Sequence, residues 1–218
     1  MLKKTFVSLL FIGFVVSASA QDTIPKNYHY VGVQINQLIR QILNFSSTST
    51  AVNNPYLITY AVNSRVTGWG ANFGLGYTYN EFNDGDVFVE RNTKINDLFF
   101  RVGFEKKSTF GKRWILSSGI DAVIDLQNNT TKTVQGNDPN TTVETKNKNN
   151  GWGLGPRASL NYAATDRIWV GTEITYYFKS LKNTIETDSR NGVDDKTTDK
   201  TKRFQFAVPA VIFMVLRF

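Results

Sequence analysis

Apolar residues recur along this chain with a period of two. Across residues 69–80 the odd positions Trp69, Ala71, Phe73, Leu75, Tyr77 and Tyr79 are apolar or aromatic, while Gly70, Asn72, Gly74, Gly76, Thr78 and Asn80 are small or polar. A β-strand sends alternate side chains to opposite faces, so this segment is predicted to be a strand with one bulky apolar face and one small polar face. The split repeats. Leu98, Phe100, Val102 and Phe104 alternate with Phe99, Arg101, Gly103 and Glu105. Residues 114–127 follow it less cleanly, with Ser118 in the apolar set and Ile115 and Val123 in the polar one. Trp152, Leu154, Ala158, Leu160 and Tyr162 oppose Gly153, Gly155, Arg157, Ser159 and Asn161. Ile168, Val170, Ile174, Tyr176 and Phe178 oppose Gly171, Glu173, Thr175 and Lys179, and a last strand carries Phe204 to Phe218 at even positions. With shorter candidates at 28–36 and 55–63, the pattern predicts about eight strands.

The connections alternate in length. Tight turns are expected near Ser64-Arg65, at 108–111 and at 163–166. Long, Asn-, Thr-, Asp- and Lys-rich segments lie at 81–95, 128–150 and 181–202. Too polar to bury a core, the long segments are expected to be mobile, exposed loops. Such a rhythm belongs to an antiparallel up-and-down barrel whose two ends face different environments: short periplasmic turns at one end, long external loops at the other.

Glycine decides which face is outside. Gly70, Gly74, Gly76, Gly103, Gly119, Gly153, Gly155 and Gly171 all fall on the small polar face. Glycine weakens a strand, and a narrow barrel has little room inside, so this face is assigned to the lumen. The bulky face then meets lipid, and a closed barrel pairs every backbone group there. The prediction is an all-β transmembrane barrel.

Composition narrows the classes that remain. After the first residues no apolar run is long enough for a membrane helix. Cysteine is absent, which removes disulfides, thiolate metal sites, cysteine nucleophiles and a lipoprotein anchor. The formal charge of +7 becomes +5 once Lys3 and Lys4 are subtracted, and the basic residues form no run and no nucleic-acid motif. Residues 1–20 read as a cleavable export signal: Lys3 and Lys4, an apolar core, then Ala18-Ser19-Ala20. Residues 21–27 are expected to be a short periplasmic tail, and 28–218 the barrel.

The signal, the alternating strands, the loop rhythm and the terminal stretch 203–218, which ends in Phe218 after Ile212, Met214 and Leu216, resemble small outer-membrane barrels of the OmpA/OmpX type. That resemblance implies an outer-membrane location, outer-membrane lipid as surroundings, and Ile212, Met214, Leu216 and Phe218 as the signal read by the barrel-assembly machinery. Pro209 departs from the pattern inside the last strand and is expected to mark a bulge.

The lumen face carries both charge signs: Arg101, Glu105, Asp121, Asp125, Arg157, Glu173, Lys179, Arg203 and Arg217. A turn centred on Thr165 would set Arg157 opposite Glu173 and Ala158 opposite Thr172, and Arg101 lies diagonal to Asp121. A mid-height network of Arg101, Asp121, Arg157 and Glu173 is therefore predicted, either as a neutral plug or as a gate for small solutes. Residues 35–43 fit helical spacing as well as a strand running on. His29, the only histidine, falls near the periplasmic rim without a partner for general-base chemistry. Asp84-Gly85-Asp86 lacks the spacing of a calcium loop and reads as a turn. No catalytic, cofactor or metal residues are assigned. The function expected is a non-enzymatic barrel that presents external loops, with a narrow channel or an accessory role in protein assembly or secretion as alternatives.

Overall fold

The computed structural model describes residues 26–35, 56–85, 88–135, 142–189, 195–207 and 212–218. The export signal, residues 36–43 of the ambiguous segment and Pro209 lie outside the described residues. Among the described residues nine strands follow in chain order: β1 (Asn27–Gln34), β2 (Tyr56–Ser64), β3 (Trp69–Gly85), β4 (Val89–Phe110), β5 (Trp114–Gln135), β6 (Val143–Ala163), β7 (Ile168–Ser189), β8 (Asp195–Ala207) and β9 (Ile212–Arg217). Each pairs antiparallel with its neighbours, and the order β6-β5-β4-β3-β2-β1-β9-β7-β8 closes through a β6–β7 pairing. β8 and β9 both pair with β7, so they are two stretches of one terminal strand and the ring has eight members. Between Thr175↔Ala207 and Thr172↔Ile212, three steps on β7 face five on the terminal strand.

The barrel is inside-out relative to a soluble protein. Leu75, Tyr77, Phe100, Phe104, Ile120, Ile124, Trp152, Leu154, Tyr176, Phe204 and Met214 are all exposed on the outer wall. Arg101, Glu105, Asp121 and Arg157 are buried. The apolar wall ends abruptly at the loop side: above Tyr79, Leu98, Leu126 and Trp152 the next outward residues are Glu81, Asn96, Asn128 and Asn150. From Leu116 to Leu126 is ten residues, and at about 3.3 Å each with a tilt of about 40° this spans about 25 Å, the height of a barrel's apolar band. Trp69, Phe110, Trp114 and Tyr162 border it below, with Tyr77, Tyr79 and Trp152 above.

At the lower end the connections are tight. Gly68 and Gly111 adopt φ of 75° and 66°, the left-handed conformation a short hairpin turn needs. The short turn after β4 falls at 111–113, since β4 continues through Phe110. The β6–β7 turn has Thr165 Oγ1 accepting from the backbone N–H groups of Arg167 and Ile168 at 3.3 and 3.0 Å.

The long connections correct the sequence reading. Residues expected to be mobile loops continue as strand ladders well above the apolar band, to Asn83↔Asn92, Lys132↔Glu144 and Glu186↔Lys196. The extension is one continuous sheet of six strands, β3 to β8, with Val89↔Gln135 and Val143↔Ser189 joining neighbouring hairpins, and it needs no apolar core of its own when it grows from a rigid sheet. Its backbone groups pair in the ladder, and threonine-rich faces and cross-strand pairs hold it.

Candidate functional site: a charge network across the lumen

Register brings the inward charges together. Asp121, fully buried, sits at the centre. Arg157 Nε donates to its Oδ2 at 2.8 Å, Tyr177 donates to the same oxygen at 3.0 Å, and Asn72 Nδ2 donates to Oδ1 at 3.1 Å. Arg101 Nε lies 3.7 Å from Oδ2, and the other end of the guanidinium donates to Glu173 at 2.9 Å. Arg157 also donates to Glu105, stands 4.0 Å from Glu173, and Lys107 donates to the other Glu105 oxygen. Three cations (Arg101, Lys107, Arg157) thus face three carboxylates (Glu105, Asp121, Glu173). One storey higher, Lys179 Nζ donates to Asp125 at 2.6 Å, and Gln127 donates to Asp97 at 3.3 Å.

Glycine makes room for these side chains. Across the ladders Glu105 is flanked by Gly70 and Gly119, Asp121 by Gly103 and Gly155, and Lys179 by Gly153. A Cβ built at Gly103 would lie 1.9 Å from Asp121 Oδ1, and one at Gly153 would lie 2.8 Å from the Lys179 stem. Each long charged residue therefore occupies the volume its neighbours give up, which is how a narrow lumen reaches native packing density.

The four residues predicted for the network, Arg101, Asp121, Arg157 and Glu173, lie within one connected set of contacts, but in a different register from the one expected. Arg157 pairs with Thr175, Glu173 with Ser159, and Ala158 with Ile174 rather than Thr172. The Thr165 hydroxyl caps a turn that runs on to Ile168, which displaces the pairing by two residues and leaves Arg157 diagonal to Glu173. Side-chain parity is unchanged by an even shift, so the same residues still face inward. Glu105 was inward-facing in the sequence reading yet left outside the network, and Lys107, Tyr177 and Asn72 were missed. Lys107 and Asn72 share the parity of their inward neighbours. Tyr177 has the parity of Thr175 and Lys179, but an aromatic between Tyr176 and Phe178 looks like wall.

Above the network a cavity of about 290 Å³ is lined by Asp97, Asp125, Tyr177, Lys179 and Arg203. Below it, at the turn side, one of about 340 Å³ is lined by Tyr28, Arg65, Lys107, Trp169 and Arg217. The two share no lining residue, and the space between them, about 50 Å³, is bordered by the network itself. Tyr30, Ala61, Ile115 and Trp169 form an apolar cluster under the charges. Arg217 caps that cluster, its guanidinium 4.9 Å from the Tyr28 ring and 5.4 Å from Trp169.

His29 lies on the outer rim at the turn end, its Nδ1 2.7 Å from the Tyr60 hydroxyl and its ring stacked 6.0 Å from Phe218. No group of metal-binding side chains occurs among the described residues. Ile212, Met214, Leu216 and Phe218 all point outward into the apolar band.

No family model matches the chain, and no curated protein resembles it in sequence. Solved structures do resemble it. The crystal structure of a major outer membrane protein from Thermus thermophilus superposes with a TM-score of 0.50 at 10% identity, covering 88% of this chain and 99% of that one. Looser likenesses are CarO of Acinetobacter baumannii (TM-score 0.37, 10% identity, 91% and 98% covered) and Ail, the attachment invasion locus protein of Yersinia pestis (0.36, 11%, 88% and 95%). The first shows the fold, that of an outer-membrane β-barrel. With its closed ladder and apolar outer wall, the chain is an integral outer-membrane barrel embedded in lipid.

Proposed function

We propose that this chain is a non-enzymatic outer-membrane barrel, closed to solutes, whose extended hairpins present a rigid external surface. One observation carries the reading: Asp121 has no exposure and is held by Arg157, Tyr177 and Asn72, with Arg101 beside it. Charges that neutralise one another and are packed against glycine fill the lumen as a plug. His29 is engaged at the rim by the Tyr60 hydroxyl, and among the described residues no carboxylate or serine is bonded to it.

Residues 1–20 are proposed to be an export signal removed before assembly. The outward-facing Ile212, Met214, Leu216 and Phe218 are proposed to be the stretch read by the assembly machinery. In planar bilayers the purified barrel is expected to produce no discrete ion-conductance steps. Regular steps from the wild-type protein would overturn the plugged reading in favour of a narrow channel. That second reading draws on the cavities above and below the network, which the charges and the apolar cluster beneath them separate.

A further inference from the structure

Four lysines on the outer face of the extended hairpins are supplied with a carboxylate by the protein. Lys94 lies 3.0 Å from Glu81, Lys146 lies 3.1 Å from Glu144, and Lys148 and Lys196 converge on Glu186 at 3.1 and 2.7 Å. Lys132 has Glu144 directly across its ladder. Where the apolar band ends on β7 and β8 the rule breaks. Lys182 and Lys200 are direct cross-strand partners, and Lys202 faces Ser180 one row below. All three are exposed, and among the described residues none has a carboxylate partner. Like charges set directly opposite each other destabilise a ladder, so this arrangement needs an anion from outside the chain.

The surroundings say what kind of anion. Directly below this row Phe178 pairs with Phe204, their rings 5.2 Å apart, and Tyr176 stacks on Phe204 at 5.6 Å. Trp152 is the neighbour of Ser180 on the other side. The three ammonium groups therefore sit at the level where headgroups begin, over an aromatic wall that acyl chains can cover. We infer that Lys182, Lys200 and Lys202 form a site for the phosphate of an anionic outer-leaflet lipid, with its chains lying down the Phe204–Phe178–Tyr176 surface. The ammonium groups would hold the phosphate as point charges, and interfacial position would raise their effect above that of freely hydrated lysines.

Native mass spectrometry of the detergent-purified barrel with bisphosphorylated lipid A, its dephosphorylated form and inorganic phosphate tests this. Wild type is expected to retain the phosphorylated lipid at least tenfold better than the dephosphorylated one. K182Q/K200Q/K202Q should lose that preference, while K182R/K200R/K202R and the paired-lysine control K148Q/K196Q keep it. K200Q alone, which leaves the ladder intact, should lose at least threefold. Equal retention of the two lipids by wild type, undiminished retention by K182Q/K200Q/K202Q or by K200Q, or displacement of the lipid by equimolar inorganic phosphate would overturn the proposal.

Discussion

Asp121 and Glu186 are each held by two cations from neighbouring strands of the same barrel, Asp121 by Arg101 and Arg157, Glu186 by Lys148 and Lys196. Asp121 has no exposure and its partners are almost equally buried, whereas the Glu186 side chain is 29% exposed and that of Lys196 65%. The architecture around them is the same antiparallel ladder, with opposed charges on adjacent strands. They differ in height and in face, Asp121 turned to the lumen inside the apolar band and Glu186 outward above it. Inside the apolar band water is excluded from both faces of the wall, so charge is forced inward, must be balanced, and cannot be given up. Above the band either face is wet, charge spreads to the outside, and each pair becomes optional. A charged pair in this molecule thus takes its importance from its position along the strand rather than from its chemistry.

The strongest way to break that comparison is Arg157→Ala. It strips Asp121 and Glu105 of a common partner while both stay buried, and removing one member of such a set costs about 3–5 kcal/mol. Urea unfolding of the barrel in detergent, followed by tryptophan fluorescence, should show a loss of that size. An unchanged midpoint would mean that water or rearranged side chains rescue the carboxylates, and that the lumen is wetter than its packing indicates.

A smaller effect comes from inverting the outer wall. Ile120 is 60% exposed near the middle of the band. Ile120→Arg places a cation against hydrocarbon and should cost about 2–4 kcal/mol for a barrel folded into vesicles. Thr130→Arg on the same face of the same strand, above the band, should leave the unfolding midpoint unchanged. Equal effects at the two positions would show that the boundary between Leu126 and Asn128 does not mark the lipid surface.

Much of the spanning half was legible in the sequence, because a two-residue period with glycine on one side has few physical solutions. Trp69 to Tyr79 read as wall and Gly70 to Thr78 as lumen without any knowledge of partners, and the inward set on β4 and β6 followed from parity. What parity cannot supply is register. The Thr165 turn moved Arg157 two residues along β7 from Glu173, although arginine and glutamate are long enough to reach across a diagonal. The hairpins failed for a different reason. Residues such as Lys132, Glu144 and Thr187 carry no apolar signal, and their order is borrowed from the rigid sheet beneath, a tertiary effect that local composition does not record. Tyr177 was hidden by its neighbours, since a tyrosine can serve as wall or as a buried hydrogen-bond donor.

The gentlest test lies at the top of the β7–β8 hairpin. Hydrogen bonds from Lys196 and then Lys148 lower the Glu186 carboxyl from 4.5 to about 2. A carboxylate whose pKa is lower in the ordered hairpin than in the frayed one favours order above pH 4.5, and that contribution disappears as the pH falls through about 2. Amide exchange or backbone NMR of residues 184–188 and 195–198 should therefore be steady from about pH 7 to 5 and report progressive fraying as the pH falls from about 4.5 to about 2. Asp188, Asp195 and Glu144 share this region, so Glu186→Gln is the control. It should flatten the part of the acid response between about pH 4.5 and about 2 while leaving global unfolding where it was, because an exposed pair adds little to a ladder anchored below. Fraying already complete at pH 4 would mean that water, not Lys148 and Lys196, is the main partner of Glu186. A shift in the global midpoint would mean that the hairpins and the plugged barrel unfold as one unit, and the distinction drawn between the two halves would fail.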